Sequence, residues 1–100
     1  MTYSLEIRPD ALADIQKAAS WYDDQQPGLR AEFLRQVIEA TDTLLQNPLS
    51  YRLRHKRKSV RWKLLDRFPY RIVFRKTDNL ITVIAVLHTA RHDRQWRQRP

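Results

Sequence analysis

Leu80–His88 reads LITVIAVLH, nine residues in which Thr82 is the only polar side chain before the closing histidine. The run is far short of the roughly 20 apolar residues that span a bilayer. A stretch this apolar and this short is predicted to be a central strand buried on both faces. Whatever else the chain does, it must supply neighbours for that strand. The 100 residues are enough for a single domain, 1–100, with one ordinary core.

The neighbours can be read from periodicity. YSLEIR sets Tyr3, Leu5 and Ile7 against Ser4, Glu6 and Arg8, the period-2 pattern of a half-buried strand. Pro9 stops it and can open a helix at its first position, with Asp10 suiting the helix dipole. From Pro9 to about Asp24 the apolar face is Leu12, Ile15, Ala18, Ala19 and Tyr22, at helical spacing. DDQQPG is a turn. A second helix runs from Leu29 to about Gln46, with Phe33, Val37, Thr41, Leu44 and Leu45 on one face and Leu34 and Ile38 widening it. Asn47-Pro48 ends that helix.

LSYRLRHKRKS, in which six residues are Arg, Lys or His, reads as a polar connection. VRWKLL then sets Val60, Trp62 and Leu64 against Arg61, Lys63 and Leu65. YRIVFRK sets Tyr70, Ile72 and Phe74 against Arg71, Val73 and Arg75. KTDN supplies a hairpin loop before LITVIAVLH. The predicted order is β-α-α-β-β-β, an α+β domain with a helical hairpin packed on one face of a mostly antiparallel, four-stranded sheet. Alternation allows Arg61, Lys63, Arg71 and Arg75 to form one basic patch on the open face, if the register permits.

Charge is segregated along the chain. Residues 1–50 carry 4 Lys/Arg against 8 Asp/Glu, a net of −4; residues 51–100 carry 15 against 3, a net of +12. Such a half attracts polyanions or an acidic protein partner. No cysteine is present, so no disulfide or thiolate metal site exists. Three histidines without cysteine argue against a transition-metal centre. A single glycine leaves no Gly-rich phosphate loop. No metal and no cofactor are expected. MTYSLEIRPD lacks the basic and apolar regions of a signal peptide, and a cytoplasmic location without membrane partners is expected.

RFPYRIVFR, the closing VIAVLHTARHDRQW and the N-terminal IRPDALADIQKAASWYDDQQPGLRAEFL, set in this order of elements, resemble the RelE/ParE superfamily of toxins from type II toxin–antitoxin systems. The likeness is to the ParE-like branch, also known as plasmid stabilisation proteins, and it covers essentially the whole chain. It implies a small toxin held inactive by a cognate antitoxin with an acidic segment. ParE-like members are associated with poisoning DNA gyrase, and RelE-like members cut messenger RNA on the ribosome as endoribonucleases. A homodimer or a toxin–antitoxin hetero-oligomer is an expectation from the family only. An inactive member would still bind its antitoxin. Fold alone does not choose among these.

Cutting RNA through its 2′-hydroxyl needs a base, cations for the charge on phosphorus, and an acid for the leaving oxygen. For a ribonuclease the residues would be Arg71 for phosphate, Arg91 as a catalytic cation, and His88 for proton transfer. The plain alternatives are a solvated arginine on a strand and a histidine satisfied at a strand end. RelE-like enzymes tend to carry a tyrosine near their end, where this chain has Trp96. An indole has only a donor and cannot serve as acid or base. Trp96 would then either stack on a base or fold back as a lid on the core. Arg61, Lys63, Arg75 and Arg94 are further candidates for target or nucleic-acid contact. Trp21, Tyr22 and Arg71 are candidates for antitoxin contact, with core packing as the alternative for Tyr22.

Overall fold

The structure is a computed structural model, and it describes residues 2–90 and 94–100, the side chains of 94 and 95 excepted. The elements follow in the order β1 (Ser4–Ile7), α1 (Pro9–Gln25), α2 (Leu29–Gln46), a single 3-10 turn (Pro48–Ser50), β2 (Leu53–His55), β3 (Val60–Leu64), β4 (Tyr70–Thr77), β5 (Leu80–His88) and α3 (Arg94–Arg97). The sheet has five strands in the order β1-β5-β4-β3-β2, parallel between β1 and β5 and antiparallel elsewhere. The α+β layering is the predicted one, with one strand more than the four expected. The addition is β2, inside the basic stretch taken as a connection. Its three residues pair with β3 across a bulge, and its charged side chains hide any period-2 pattern.

LITVIAVLH becomes β5, flanked by β1 and β4. Its all-apolar character has a specific cause. Val73 of β4 pairs with Ala85, but the next residue, Phe74, pairs with Val83. Ile84 is therefore an extra residue, a β-bulge. A bulge reverses which residues point up and which down. Ile81 and Val83 face the helices before it and Val86 after it. Ile84, Ala85 and Leu87 face the other side. Both faces are covered, so both parities must be apolar.

On the helical side, α1 contributes Ala11, Ile15, Ala18 and Ala19, and α2 contributes Phe33, Val37, Ala40, Thr41 and Leu44. Two expected core residues are exposed instead, Leu12 at 47% and Ile38 at 60%. The apolar stripes are narrower than the sequence suggests, with alanine at four of their buried positions, 11, 18, 19 and 40. The turn between the helices places Gly28 at φ 97°, a backbone region that glycine enters without steric cost. Asp23 Oδ1 accepts the Gly28 N–H at 3.1 Å and fixes the entry of α2. Arg67 in the β3–β4 corner pairs with Glu32 of α2.

Three other expectations change. β1 was expected to be half-buried, yet all four of its residues are exposed. It is an edge strand and pairs only with β5, so no second neighbour shields it. Val60, Trp62 and Leu64 were grouped with the helix-facing residues, but Val60 and Trp62 belong to the opposite cluster. The reason is register: Val60 pairs with Arg75, Trp62 with Val73 and Leu64 with Arg71. The same register splits the proposed basic patch. Arg61 and Lys63 pair with Phe74 and Ile72 on the helical side, whereas Arg71 and Arg75 sit on the other face.

Candidate functional site

The face away from the helical hairpin is not open. Val60, Val73, Ile84, Ala85 and Leu87 form a second apolar cluster there, and Trp96 of α3 lies over it at 1% exposure. The edge of the His55 ring meets this indole at 6.0 Å. Trp96 is the lid, and in this position its faces are not available to stack on a nucleotide base.

Beside this cluster is an aromatic–cationic group on β2, β3 and β4. Trp62 of β3 is approached by the Arg54 guanidinium from β2 at 4.3 Å and by the Arg71 guanidinium from β4 at 4.8 Å. Guanidinium planes are attracted to the negative faces of indoles. Arg71 is only 6% exposed and also donates to the Thr89 carbonyl at 3.4 Å, tying the β5 exit to β4. Arg75, half-buried on the same face, pairs with Val60 and with Thr82.

His88 stands elsewhere. It pairs with Tyr70, one register position from the Arg71–Leu87 pair, and its ring meets that of Tyr70 at 5.3 Å. Adjacent strand positions point to opposite faces. Arg71 and His88 therefore lie on opposite sides of the sheet, and the trio expected for a ribonuclease does not converge through these two. His88 Nδ1 accepts the Ala90 N–H at 3.0 Å. That bond leaves Nε2 as the protonated nitrogen of the neutral ring. Arg91, the third member, and the side chain of Arg94 lie outside the described residues.

Arg61 and Lys63 are occupied on the helical side. Arg61 Nε donates to the Tyr51 carbonyl at 2.9 Å, and the Lys63 ammonium lies 5.3 Å from the Tyr51 ring. Tyr22 is part of the core, its ring packed on Phe33, Phe68 and Tyr70 at 5.4, 4.8 and 6.0 Å. Burial, and secondarily Tyr70, push its phenol above the ordinary tyrosine pKa. Trp21, the preceding residue, is 55% exposed and touches Tyr22 edge-on.

A contact that no sequence pattern signals closes the far edge of β5. Asp14 of α1 accepts two bonds from Arg99, at 2.7 and 3.1 Å, and one from the Val86 N–H at 3.0 Å. Arg99 also donates to the Ile84 carbonyl at 2.9 Å, and Asp10 lies 3.9 Å away. β1 ends opposite Val83. Beyond that point Asp14 and Arg99 take the β5 backbone groups that a longer strand would have bonded. The hydrogen bond to Asp14 raises the Arg99 pKa above its ordinary value, against the smaller opposite effect of burial. The partners are 85 residues apart, too far for any local pattern to reveal.

Among the described residues no group of three or more His, Cys, Asp or Glu side chains is placed to hold a metal ion. No helix is long and apolar enough to cross a membrane.

The family model for the ParE toxin of type II toxin–antitoxin systems, parDE, matches residues 5–93. The chain belongs to the ParE toxin family. Among solved structures it is similar to a chain of the chromosomal ParDE toxin–antitoxin system from P. aeruginosa, with a TM-score of 0.76 and 20% identity. That match covers 87% of this chain and 96% of the other, and at such identity it speaks for the fold. No curated protein gives a significant match. For this ParE-type toxin, the matched region takes in the Trp62 group and the helical hairpin. Trp96 and Arg99 lie beyond it.

Proposed function

We propose that this ParE-type toxin acts by binding an essential target, DNA gyrase, and that a cognate antitoxin with an acidic segment neutralises it. The observation that carries a binding mode over a ribonuclease mode is the register of β4 and β5. It sets Arg71 and His88 on opposite faces, while the Arg71 guanidinium is already engaged with Trp62 and Thr89. The antitoxin reading draws on the net +12 of residues 51–100, which favours fast, salt-sensitive association with an acidic chain. Trp21 is the side chain offered as its apolar anchor, being a large aromatic left exposed on α1.

The test sets purified toxin against gyrase supercoiling and, in parallel, against messenger RNA on ribosomes. Inhibited supercoiling with intact message is expected. Message cleavage that disappears in His88→Ala would replace this reading with the ribonuclease one. Absence of growth arrest when the toxin is expressed without antitoxin would leave only an antitoxin-binding role.

A further inference from the structure

The β2–β3 hairpin carries the densest charge in the molecule. Arg52, Arg54, Lys56, Arg57 and Lys58 fall within seven residues, and all five are exposed. Among the described residues none of them enters an ion pair, the described pairs being Arg67–Glu32 and Arg99 with Asp10 and Asp14. The hairpin is also held in place. Lys58 Nζ donates to the Arg97 carbonyl at 3.0 Å, the His55 ring rests on Trp96, and Arg54 lies on Trp62. The hairpin, at one end of the sheet, is thus a fixed cationic edge.

We infer that this edge binds the phosphate backbone of a nucleic-acid duplex. The Arg54 guanidinium lies over the Trp62 ring at 4.3 Å, and its N–H donors make no hydrogen bond among the described residues. That is the arrangement for bidentate contact with a phosphate. Arg54 arrives preordered, so less side-chain entropy is lost on binding. An acidic peptide would gain specific affinity from apolar anchors in pockets. Here the nearby indoles are engaged, Trp96 buried in the protein core and the half-buried Trp62 beneath two guanidiniums. Indoles engaged in this way are poor stacking platforms for single strands, which rely on open aromatic faces. The hairpin exposes five cationic side chains against one leucine, Leu53 at 37%, and the ligand that suits such a surface is a regular array of phosphates. This inference does not depend on gyrase being the target.

The test is fluorescence anisotropy of the full-length toxin with short labelled duplex DNA, duplex RNA and single strands across a salt series. Duplex binding that weakens steeply with salt is expected. Arg52 and Arg57 make no described side-chain contact, so Arg52→Gln with Arg57→Gln should leave the melting temperature unchanged. The double substitution should lower the salt slope by about 1.8 and raise the low-salt Kd about tenfold. Arg54→Lys keeps the charge but loses the stacked fork, so affinity should fall while the slope stays. The DNA and RNA arms tell which duplex is preferred. Tighter binding to single strands, displacement by polyglutamate at equal charge, or an unchanged slope in the double variant would overturn the inference.

Discussion

Asp14 has three hydrogen bonds to lose and Arg99 has alternatives in solvent, so the two should not be equivalent on substitution. Asp14→Ala strands the Val86 N–H as well as the guanidinium, and leaving buried donors unsatisfied costs about 1–3 kcal/mol. Arg99→Ala leaves the Asp14 carboxylate still bonded to Val86. The expected order of stability is wild type, then Arg99→Ala, then Asp14→Ala. Urea unfolding of both single variants and the double variant measures it, and the double should be less than additive because the residues share bonds. Tyr22 gives a prediction of another kind. Its raised pKa means the folded state holds its proton more tightly than the unfolded chain. The stability linked to that proton is fully present below the ordinary tyrosine value of 10.0. It is lost as pH rises from there through the folded pKa. Tyr22→Phe should flatten the alkaline end of a stability profile taken by urea unfolding, and an equally steep fall would refute the assignment.

At the level of elements, the two faces of the sheet are sealed by different means. The helical hairpin covers one, with Phe33 fully buried at its centre. Phe33→Ala should cost about 3–5 kcal/mol. A single short helix covers the other with one indole. Trp96→Ala should cost a comparable amount in thermal or urea unfolding, although it lies outside the family-matched region. By contrast Trp21→Ala, at 55% exposure, should change stability by no more than about 0.5 kcal/mol. The same change should weaken antitoxin binding measured by calorimetry. Equal affinity would remove Trp21 from the interface. Helix and strand positions were legible because proline, glycine and apolar spacing mark them locally: α2 begins and ends where Gly28 and Asn47-Pro48 indicate. β2 was not legible, because an edge strand three residues long made of Leu53, Arg54 and His55 has no buried face to generate alternation.

Across the whole molecule, what decides the candidate site is register, and register is not a local property. The spacing of Arg61, Lys63, Arg71 and Arg75 is compatible with one patch or two, and only the pairing of Val60 with Arg75 separates them. The apolar run of β5 revealed burial on both faces but not the bulge at Ile84, since a uniformly apolar strand looks the same with or without a change of parity. Arg54 and Trp62 are eight positions apart on different strands, and Asp14 and Arg99 stand at opposite ends of the chain. Such contacts carry no short-range signature.

The pairing of β1 with β5 has a consequence for how the toxin is made. Ser4 lies opposite Leu80 and Asp14 holds Arg99, so the first strand, and the first helix for its clasp, wait for residues made much later. A chain emerging from the ribosome has its helical hairpin early but no sheet to lay it on. The central strand is synthesised after both helices, and the clasp at Arg99 later still. Contacts between distant residues also require closing long loops, which slows folding. A nascent chain halted before β5 should therefore show no cooperative unfolding in pulse proteolysis. Synthesis itself then imposes a delay, and the cell meets a folded toxin only after β5 has been added.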